Sequence, residues 1–213
     1  MSFKVAIALE SQHPRPRARA LALGRRLAGQ ELIATACLVD TTADGAAFAA
    51  RLAVQRAAFV ADAALAKAGS RARAQVLARL LARLELDLVL VDAGDDGGGG
   101  LFSATLAHEA QMNGIFGLDD LEADPSNARA VLATLDVGGM RQRLRIDLPA
   151  VVSIRGEHNA APASDPASVE SHVVCLDDLA LAPDQLIAEP IPGVTFVPTY
   201  RRATTVTDID DLL

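Results

Sequence analysis

The first two-thirds of the chain alternates uninterrupted apolar runs with segments in which leucine and alanine recur at three- and four-residue intervals. The first pattern is typical of strands buried on both faces, and the second of helices that pack on them. The predicted strands are Lys4–Leu9, Leu32–Val39, Ala58–Ala61 and Leu86–Val91, and the predicted helices are Arg17–Ala28, Ala46–Val54 and Arg71–Leu84. This alternation predicts an α/β fold built on a doubly wound, mostly parallel sheet.

The pattern changes after Gly114. Two strand-like runs, Arg129–Leu135 and Met140–Ile146, flank the segment Asp136-Val137-Gly138-Gly139. An acidic residue and two glycines between strand-like runs are a hairpin signal. We therefore expect a β-hairpin here, and the polar–apolar alternation of its second strand predicts one solvated face.

The last third contains less regular structure. A buried strand with a proline at its entrance is predicted for Leu148–Ile154. A long surface loop is predicted for Gly156–Ser171, and a further short strand for His172–Leu176. We divide the chain into an α/β domain, residues 1–181, and an extended C-terminal arm, residues 182–213. The arm has several prolines and scattered apolar residues. This composition favours packing on a partner subunit, with folding back onto its own domain as the alternative.

A glycine run follows the predicted strand Leu86–Val91. Asp95 and Asp96 precede Gly97, Gly98, Gly99 and Gly100, and helical spacing begins at Leu101. A strand, a glycine turn and a helix in this order can hold a phosphate, because glycine backbone N–H groups and the helix amino terminus converge on an anion. Neither a GxGxxG pattern nor a Lys-Ser/Thr ending is present. A nucleotide site and a flexible surface turn both remain open from these residues alone.

Composition excludes several function classes. The net charge of −7 and the absence of Trp argue against a nucleic-acid partner, and no apolar run is long enough for a membrane span. The amino-terminal run is interpreted as a strand rather than a signal peptide, which predicts a cytoplasmic protein. The two cysteines fit no zinc spacing. No acid, base and nucleophile constellation is visible, so we assign no catalytic or metal-binding residue and favour a carrier over an enzyme.

Several segments together resemble the beta subunit of electron transfer flavoproteins. The resemblance covers most of the chain and is carried by the order and spacing of the motifs. They are KVAIALE (4–10), LIATACLVD (32–40), LATLDVGGMRQRLRIDLPAVVSIRG (132–156) and HVVCLDDLAL (172–181). The most specific is the third, which is similar to the family's acid-plus-Gly-Gly hairpin followed by a charged strand and LPAVV.

The resemblance implies an adenine-nucleotide-binding layout and a heterodimer with an alpha subunit that holds most of the FAD. Such an assembly carries electrons from a flavin-dependent dehydrogenase to an acceptor such as a quinone reductase. It also implies an AMP in the beta subunit, although a second FAD or no ligand in that pocket stays open. The cofactor-binding positions that it implies are Ala8, Cys37, Asp95, Asp96, Gly97, Gly98, Gly99, Gly100, Leu101 and Phe102.

The chain departs from the family pattern in two places near this pocket. Its glycine loop is shorter and carries Gly98–Gly100 where the family has a polar Asn-Gln-Thr-like run, and the segment after the first strand lacks an Asn-Pro adenine contact. The loop Gly156–Ser171 takes the place of the family's partner-recognition loop, with Pro166 and Val169 as the candidate anchors. The usual lysine-rich stretch after it is absent, which suggests a dehydrogenase of methylated amines as partner rather than one of the acyl-CoA type.

A second function class fits the same α/β layout. The chain could be a nucleotide-binding sensor or stress-type protein that acts as a homodimer and binds ATP or AMP on its own. The proline-rich arm and the hairpin region weigh against it, because a self-contained sensor needs neither.

Overall fold

The computed structural model describes residues 3–9, 18–39, 54–92, 99–155 and 170–186. The strands are β1 (Val5–Leu9), β2 (Ile33–Leu38), β3 (Arg56–Ala61), β4 (Leu88–Asp92), β5 (Asn113–Leu118), β6 (Asp120–Ala123), β7 (Ala130–Val137), β8 (Met140–Asp147), β9 (Ala150–Ile154) and β10 (Glu170–Val174). The helices are α1 (Ala18–Ala28), α2 (Ser70–Leu84) and α3 (Gly99–Ala110).

Seven of the strands form one parallel sheet in the order β10-β3-β2-β1-β4-β9-β5. Every neighbouring pair in it is parallel. The other three form an antiparallel sheet in the order β6-β7-β8. The predicted α/β fold with a doubly wound, mostly parallel sheet is thereby confirmed.

The parallel sheet is covered differently on its two faces. Helix α1 and the three-stranded sheet lie on one face, where Leu21, Leu23, Leu121 and Val131 join the same apolar cluster. Helices α2 and α3 lie on the other face. None of the helices in the described ranges is both long and apolar enough to span a bilayer.

Helix α1 lies very close to the sheet at Gly24. A Cβ atom at this position would stand 2.8 Å from Leu32 Cδ1 and 3.3 Å from Leu90 Cδ1. The end of α1 is tied to the small sheet by Arg26, which donates to the Asp120 carboxylate at 2.6 Å and to the carbonyl oxygen of Leu121. Glycine at position 24 therefore sets how closely α1 approaches the sheet.

The predicted hairpin is confirmed as β7–β8. Gly138 and Gly139 form its two-residue turn with φ values of +61° and +83°, which suits the tight turn that matches the twist of two antiparallel strands. The Asp136 carboxylate accepts a hydrogen bond from the backbone N–H of Gly139 at 2.8 Å. The acidic residue and the glycine pair thus act together, as their sequence order indicated.

The structure corrects the sequence analysis at three places. Strands β5 and β6 were not predicted, because β5 contains two glycines and an asparagine and leaves several residues exposed. Glu170 and Ser171 belong to strand β10 rather than to the surface loop. Helix α3 begins at Gly99, so Gly99 and Gly100 form its first turn instead of the turn before it.

Some predictions fall outside the described residues. These are the helix Ala46–Val54 up to residue 53, residues 93–98, the loop 156–169 and the arm from residue 187 onward. The first residues of the arm, Pro183–Leu186, form a short 3₁₀ turn, and Leu186 is buried in the α2 and α3 layer. The division of the chain at residues 181 and 182 stays a prediction.

The turn between β6 and β7 is organised by Asp124. Its carboxylate, 5% exposed, accepts hydrogen bonds from the Ser126 hydroxyl at 2.6 Å and the Ser126 backbone N–H at 2.8 Å, and it lies 3.3 Å from Arg145 Nε. The hydrogen bonds from Ser126, assisted by the charge of Arg145, hold the pKa of this carboxyl below its usual 3.8. The charged form of Asp124 therefore stabilises the fold.

We expect Gly24→Val to lower the free energy of unfolding by about 1–3 kcal/mol, because the added methyl groups must displace buried leucines. Ala22→Val on the exposed side of the same helix is the matched control and should cost less than about 1 kcal/mol. Urea unfolding followed by circular dichroism measures both. Equal losses for the two variants would contradict the close approach of α1.

We also expect the stabilisation from Asp124 to be complete above its unfolded-state pKa and to disappear as the pH falls through the lower folded-state value. The Asp124→Asn variant should therefore be less stable than the parent near neutral pH, and the difference should shrink in acid. Unfolding free energies measured across the acidic range test this. A difference that does not depend on pH would show that the carboxylate charge is not responsible.

Candidate functional site

The candidate site lies where the strand order reverses. From β1 the chain proceeds through β2 and β3 on one side of β1, and then returns to add β4 on the other side. The segment after β1 leads to α1 on one face of the sheet, and the segment after β4 leads to α3 on the opposite face. In open α/β sheets, ligands bind beyond the carboxyl ends of the strands at such a switch point.

The glycine run leads into helix α3 at this edge of the sheet. Strand β4 ends at Asp92 and α3 begins at Gly99. The first N–H groups of a helix have no partner within it, and with the helix dipole they favour an anion. Gly99 and Gly100 in the first turn carry no side chain between these groups and a ligand. The described half of the glycine run therefore has the chemistry of a phosphate cradle.

Ala8 and Cys37 lie on the sheet face that α2 and α3 cover. Ala8 is beside Val91 of β4 and Thr35 of β2, near the carboxyl end of β1. The structure thus places both residues on one face of the sheet, near the carboxyl ends of β1 and β2. However, they are only 0% and 1% exposed in the folded chain, so a contact of either side chain with a ligand stays a prediction.

Cys37 has the properties of a structural residue. Its thiol donates to the backbone carbonyl oxygen of Arg73 at a distance of 3.6 Å. Burial raises the pKa of this thiol to about 12, and the positive charge of Arg73 opposes the effect only in part. Cys37 is therefore neutral at physiological pH and does not supply a thiolate nucleophile.

Arg73 is a residue at this edge that the sequence analysis missed. It lies in the first turns of α2, and its guanidinium donates to the carbonyl oxygens of Ala68 at 3.0 Å and Leu65 at 3.2 Å. It therefore fixes the short 3₁₀ turn Ala63–Lys67, which follows β3, against α2. It also keeps a positive charge near Cys37. Several arginines recur along this helix, so no sequence signal distinguished Arg73 from a solvated one.

Phe102 is buried in the core at 1% exposure, so its side chain anchors α3 on the sheet. The neighbouring Ser103 is also buried. On β9, the hydroxyl of buried Ser153 accepts a hydrogen bond from the Gly117 backbone N–H at 2.8 Å. The side chain of Leu101 lies outside the described residues, as do Asp95, Asp96, Gly97, Gly98, Pro166 and Val169.

A groove of about 620 Å³ lies elsewhere, between α2 and the carboxyl end of α3. Gln75, Arg79, Glu109 and Leu186 are among its lining residues. At a rise of 1.5 Å per residue, Glu109 is about 15 Å along the helix from Gly99. This groove is therefore separate from the predicted phosphate cradle.

The residues described at this edge of the sheet have groups suited to binding a ligand rather than to catalysing a reaction. The polar groups described near it are the first backbone N–H groups of α3, the neutral thiol of Cys37, the buried hydroxyls of Ser103 and Ser153, and the guanidinium of Arg73. Among the described residues, no three His, Cys, Asp or Glu side chains are grouped so that they could hold a metal ion. Of these groups, the backbone N–H groups at the start of α3 can hold an anionic ligand.

Comparisons with known proteins identify the domain type. The family model for the electron transfer flavoprotein domain matches residues 10–178. The match includes β2 to β10, and with them the glycine run, α3 and the hairpin. No curated protein matched the chain.

The two cysteines should differ strongly in reactivity. In the folded chain we expect a disulfide reagent such as DTNB to modify Cys175, which is exposed, and to leave Cys37 unmodified because it is buried and neutral. Denaturant should release the second thiol. The Cys175→Ser variant is the control and should show almost no reaction before unfolding. Rapid modification of Cys37 in that variant would contradict its burial.

Proposed function

The chain belongs to the electron transfer flavoprotein domain family, and from this premise we propose that it is the beta subunit of a heterodimeric electron transfer flavoprotein. In this role it carries electrons, together with an alpha subunit, from a flavin-dependent dehydrogenase to an acceptor such as a quinone reductase. The observation that carries the proposal is the glycine-headed helix α3 at the β1/β4 switch point, inside the matched domain.

The hairpin region supports the choice of the beta subunit. The segment LATLDVGGMRQRLRIDLPAVVSIRG, residues 132–156, resembles that subunit in particular, and it folds as the hairpin β7–β8 followed by the buried strand β9. Strand β9 lies directly beside β4 in the parallel sheet. The most specific motif of the resemblance is thus next to the strand that leads into the candidate site.

The proposed cofactors are an FAD held mostly by the alpha subunit and an AMP in the pocket of this chain. The flavin accepts and donates the electrons, and this chain supplies binding and orientation. We assign the AMP phosphate to the backbone of Gly99 and Gly100, with residues 95–98 completing the loop and Leu101 and Phe102 following it. Ala8 and Cys37 are assigned to the adenine, because both are small residues near the strand ends.

The remaining contacts of the proposal involve segments that lie wholly or mostly outside the described residues. Pro166 and Val169 are assigned to recognition of the dehydrogenase, and the arm that begins at residue 182 to the alpha subunit. Because the lysine-rich stretch is absent after the recognition loop, we propose a dehydrogenase of methylated amines rather than an acyl-CoA type. The proposed location is the cytoplasm.

Co-expression with the alpha subunit from the same genome tests the proposal. We expect a yellow one-to-one complex with a flavin absorption spectrum. Mass spectrometry of the nucleotides released from it should find FAD and AMP. A chain that instead forms a colourless homodimer and binds ATP or AMP without a partner would support the sensor function and contradict the carrier.

The Ala8→Val variant tests the pocket directly. We expect the complex to lose at least tenfold of its AMP while it keeps its FAD, because the added methyl groups narrow the space at the carboxyl end of β1. Ala6→Val is the matched control, since Ala6 is buried on the same strand and face but farther from that end. Released AMP and FAD are quantified per complex. Equal AMP contents in the two variants would place the ligand elsewhere.

A further inference from the structure

The groove between α2 and the carboxyl end of α3, here called the α2/α3 groove, has a mixed lining. Three alanines, two leucines and four polar residues line it: Gln75, Ala78, Arg79, Ala82, Glu109, Ala110, Gln111, Leu181 and Leu186. The alanines leave space between the two helices, and the polar residues bring charge to it. A peptide that carries both apolar and charged side chains is therefore the kind of occupant that suits this groove.

The chain itself leads into the α2/α3 groove. Leu186, the last described residue, lines the groove and is only 3% exposed. Among the described residues that stand next to a segment outside the described ranges, Leu186 is the one that belongs to the groove lining. The segment that follows it, starting at residue 187, is therefore attached directly at the groove.

The length of the groove suits a short extended segment. Gln75 and Ala82 are seven residues apart on α2, which corresponds to about 10 Å of helix axis. In an extended chain, two residues four positions apart are separated by about 13 Å. Five or six extended residues after Leu186 are thus long enough to lie along the groove.

The sequence after Leu186 has the pattern that such a segment needs. Residues 187–192 are Ile-Ala-Glu-Pro-Ile-Pro. Alternate side chains of an extended chain lie on one face, which groups Ile187 and Ile191 with Glu189. The two prolines favour an extended backbone before binding, so less conformational entropy is lost when the segment is held in place.

The charges of the groove and the segment are complementary. Arg79 is exposed, and within the described ranges it forms no ion pair. The acid in the groove lining, Glu109, instead accepts a hydrogen bond from Gln75 Nε2 at 3.1 Å. Glu189 follows Leu186 by three residues, a distance of at most about 10 Å in an extended chain. The segment can therefore bring a carboxylate into the groove, where Arg79 attracts it.

We propose that residues 187–192 occupy the α2/α3 groove as an extended segment. Ile187 and Ile191 pack on the alanines of the groove, and Glu189 pairs with Arg79. The C-terminal arm is thus fastened to its own domain at its root, and residues 193–213 are the part that extends towards a partner. This inference goes beyond the proposed function and does not depend on it, because the groove and the segment belong to the same chain.

Disulfide trapping in the full-length chain tests the position of the segment. In a Cys175→Ser background, Ile191→Cys is combined in turn with Gln75→Cys and Ala82→Cys, at the two ends of the groove on α2. With oxidised glutathione as oxidant, we expect one of these pairs to form its intramolecular disulfide at least tenfold faster than Ala22→Cys/Ile191→Cys. Ala22 is the matched control, because it is exposed on α1, on the opposite face of the sheet. Mass spectrometry of peptides measures the disulfide, and thermal unfolding of each variant verifies its fold.

Charge reversal in the faster of the two pairs tests the contact of Glu189 with Arg79. We expect Arg79→Glu to slow disulfide formation about threefold, since an exposed ion pair contributes modestly. Adding Glu189→Arg to that variant should restore the rate. Arg83→Glu is the matched control and should leave the rate unchanged, because Arg83 is exposed one turn farther along α2 and does not line the groove.

Three results would overturn the inference. Equal disulfide rates for the α2 pairs and the Ala22 pair would show that the segment is not held at the groove. Disulfides between two chains instead of within one would assign the groove to a second copy. Equal effects of Arg79→Glu and Arg83→Glu, without rescue by Glu189→Arg, would show that the segment is not bound through this charge. None of these rates requires an alpha subunit, so this inference and the proposed function fail separately.

Discussion

The structure depends on covering both faces of a seven-stranded parallel sheet whose inner strands are mostly apolar and almost completely buried. Parallel sheets are stable only when both faces are buried. Two helices, α2 and α3, cover one face. The other face is covered by α1 near β1 and by the three-stranded sheet, whose Leu121, Val131 and Ile146 enter the same cluster as residues of β9. The antiparallel sheet therefore covers the part of this face that a further helix covers in a doubly wound fold with helices on both faces.

This arrangement explains which parts of the fold could be predicted from the sequence. The inner strands are continuous apolar runs, and the helices repeat leucine and alanine at helical spacing, so their positions followed from pattern alone. The position of strand β5 did not follow from the pattern, because this edge strand is largely exposed. It also contains Gly114 and Gly117, which allow close contacts with other parts of the fold. A Cβ on Gly114 would stand 3.0 Å from Ala107 Cβ of α3, and one on Gly117 would meet the Arg155 guanidinium at 2.7 Å. Such close approaches are made by residues of the folded chain and have no local signature.

The candidate site shows the same division. The glycine run was found from its composition, and its position after an apolar strand predicted that it follows the carboxyl end of β4. The start of α3 at Gly99 was not predictable, because glycine is a poor helix former that is tolerated in a first turn. The burial of Ala8 and Cys37 and the hydrogen bonds of Arg73 also depend on how α2 packs on the sheet. Residue types thus indicated the candidate site, whereas the burial and hydrogen bonds of the residues near it follow from packing.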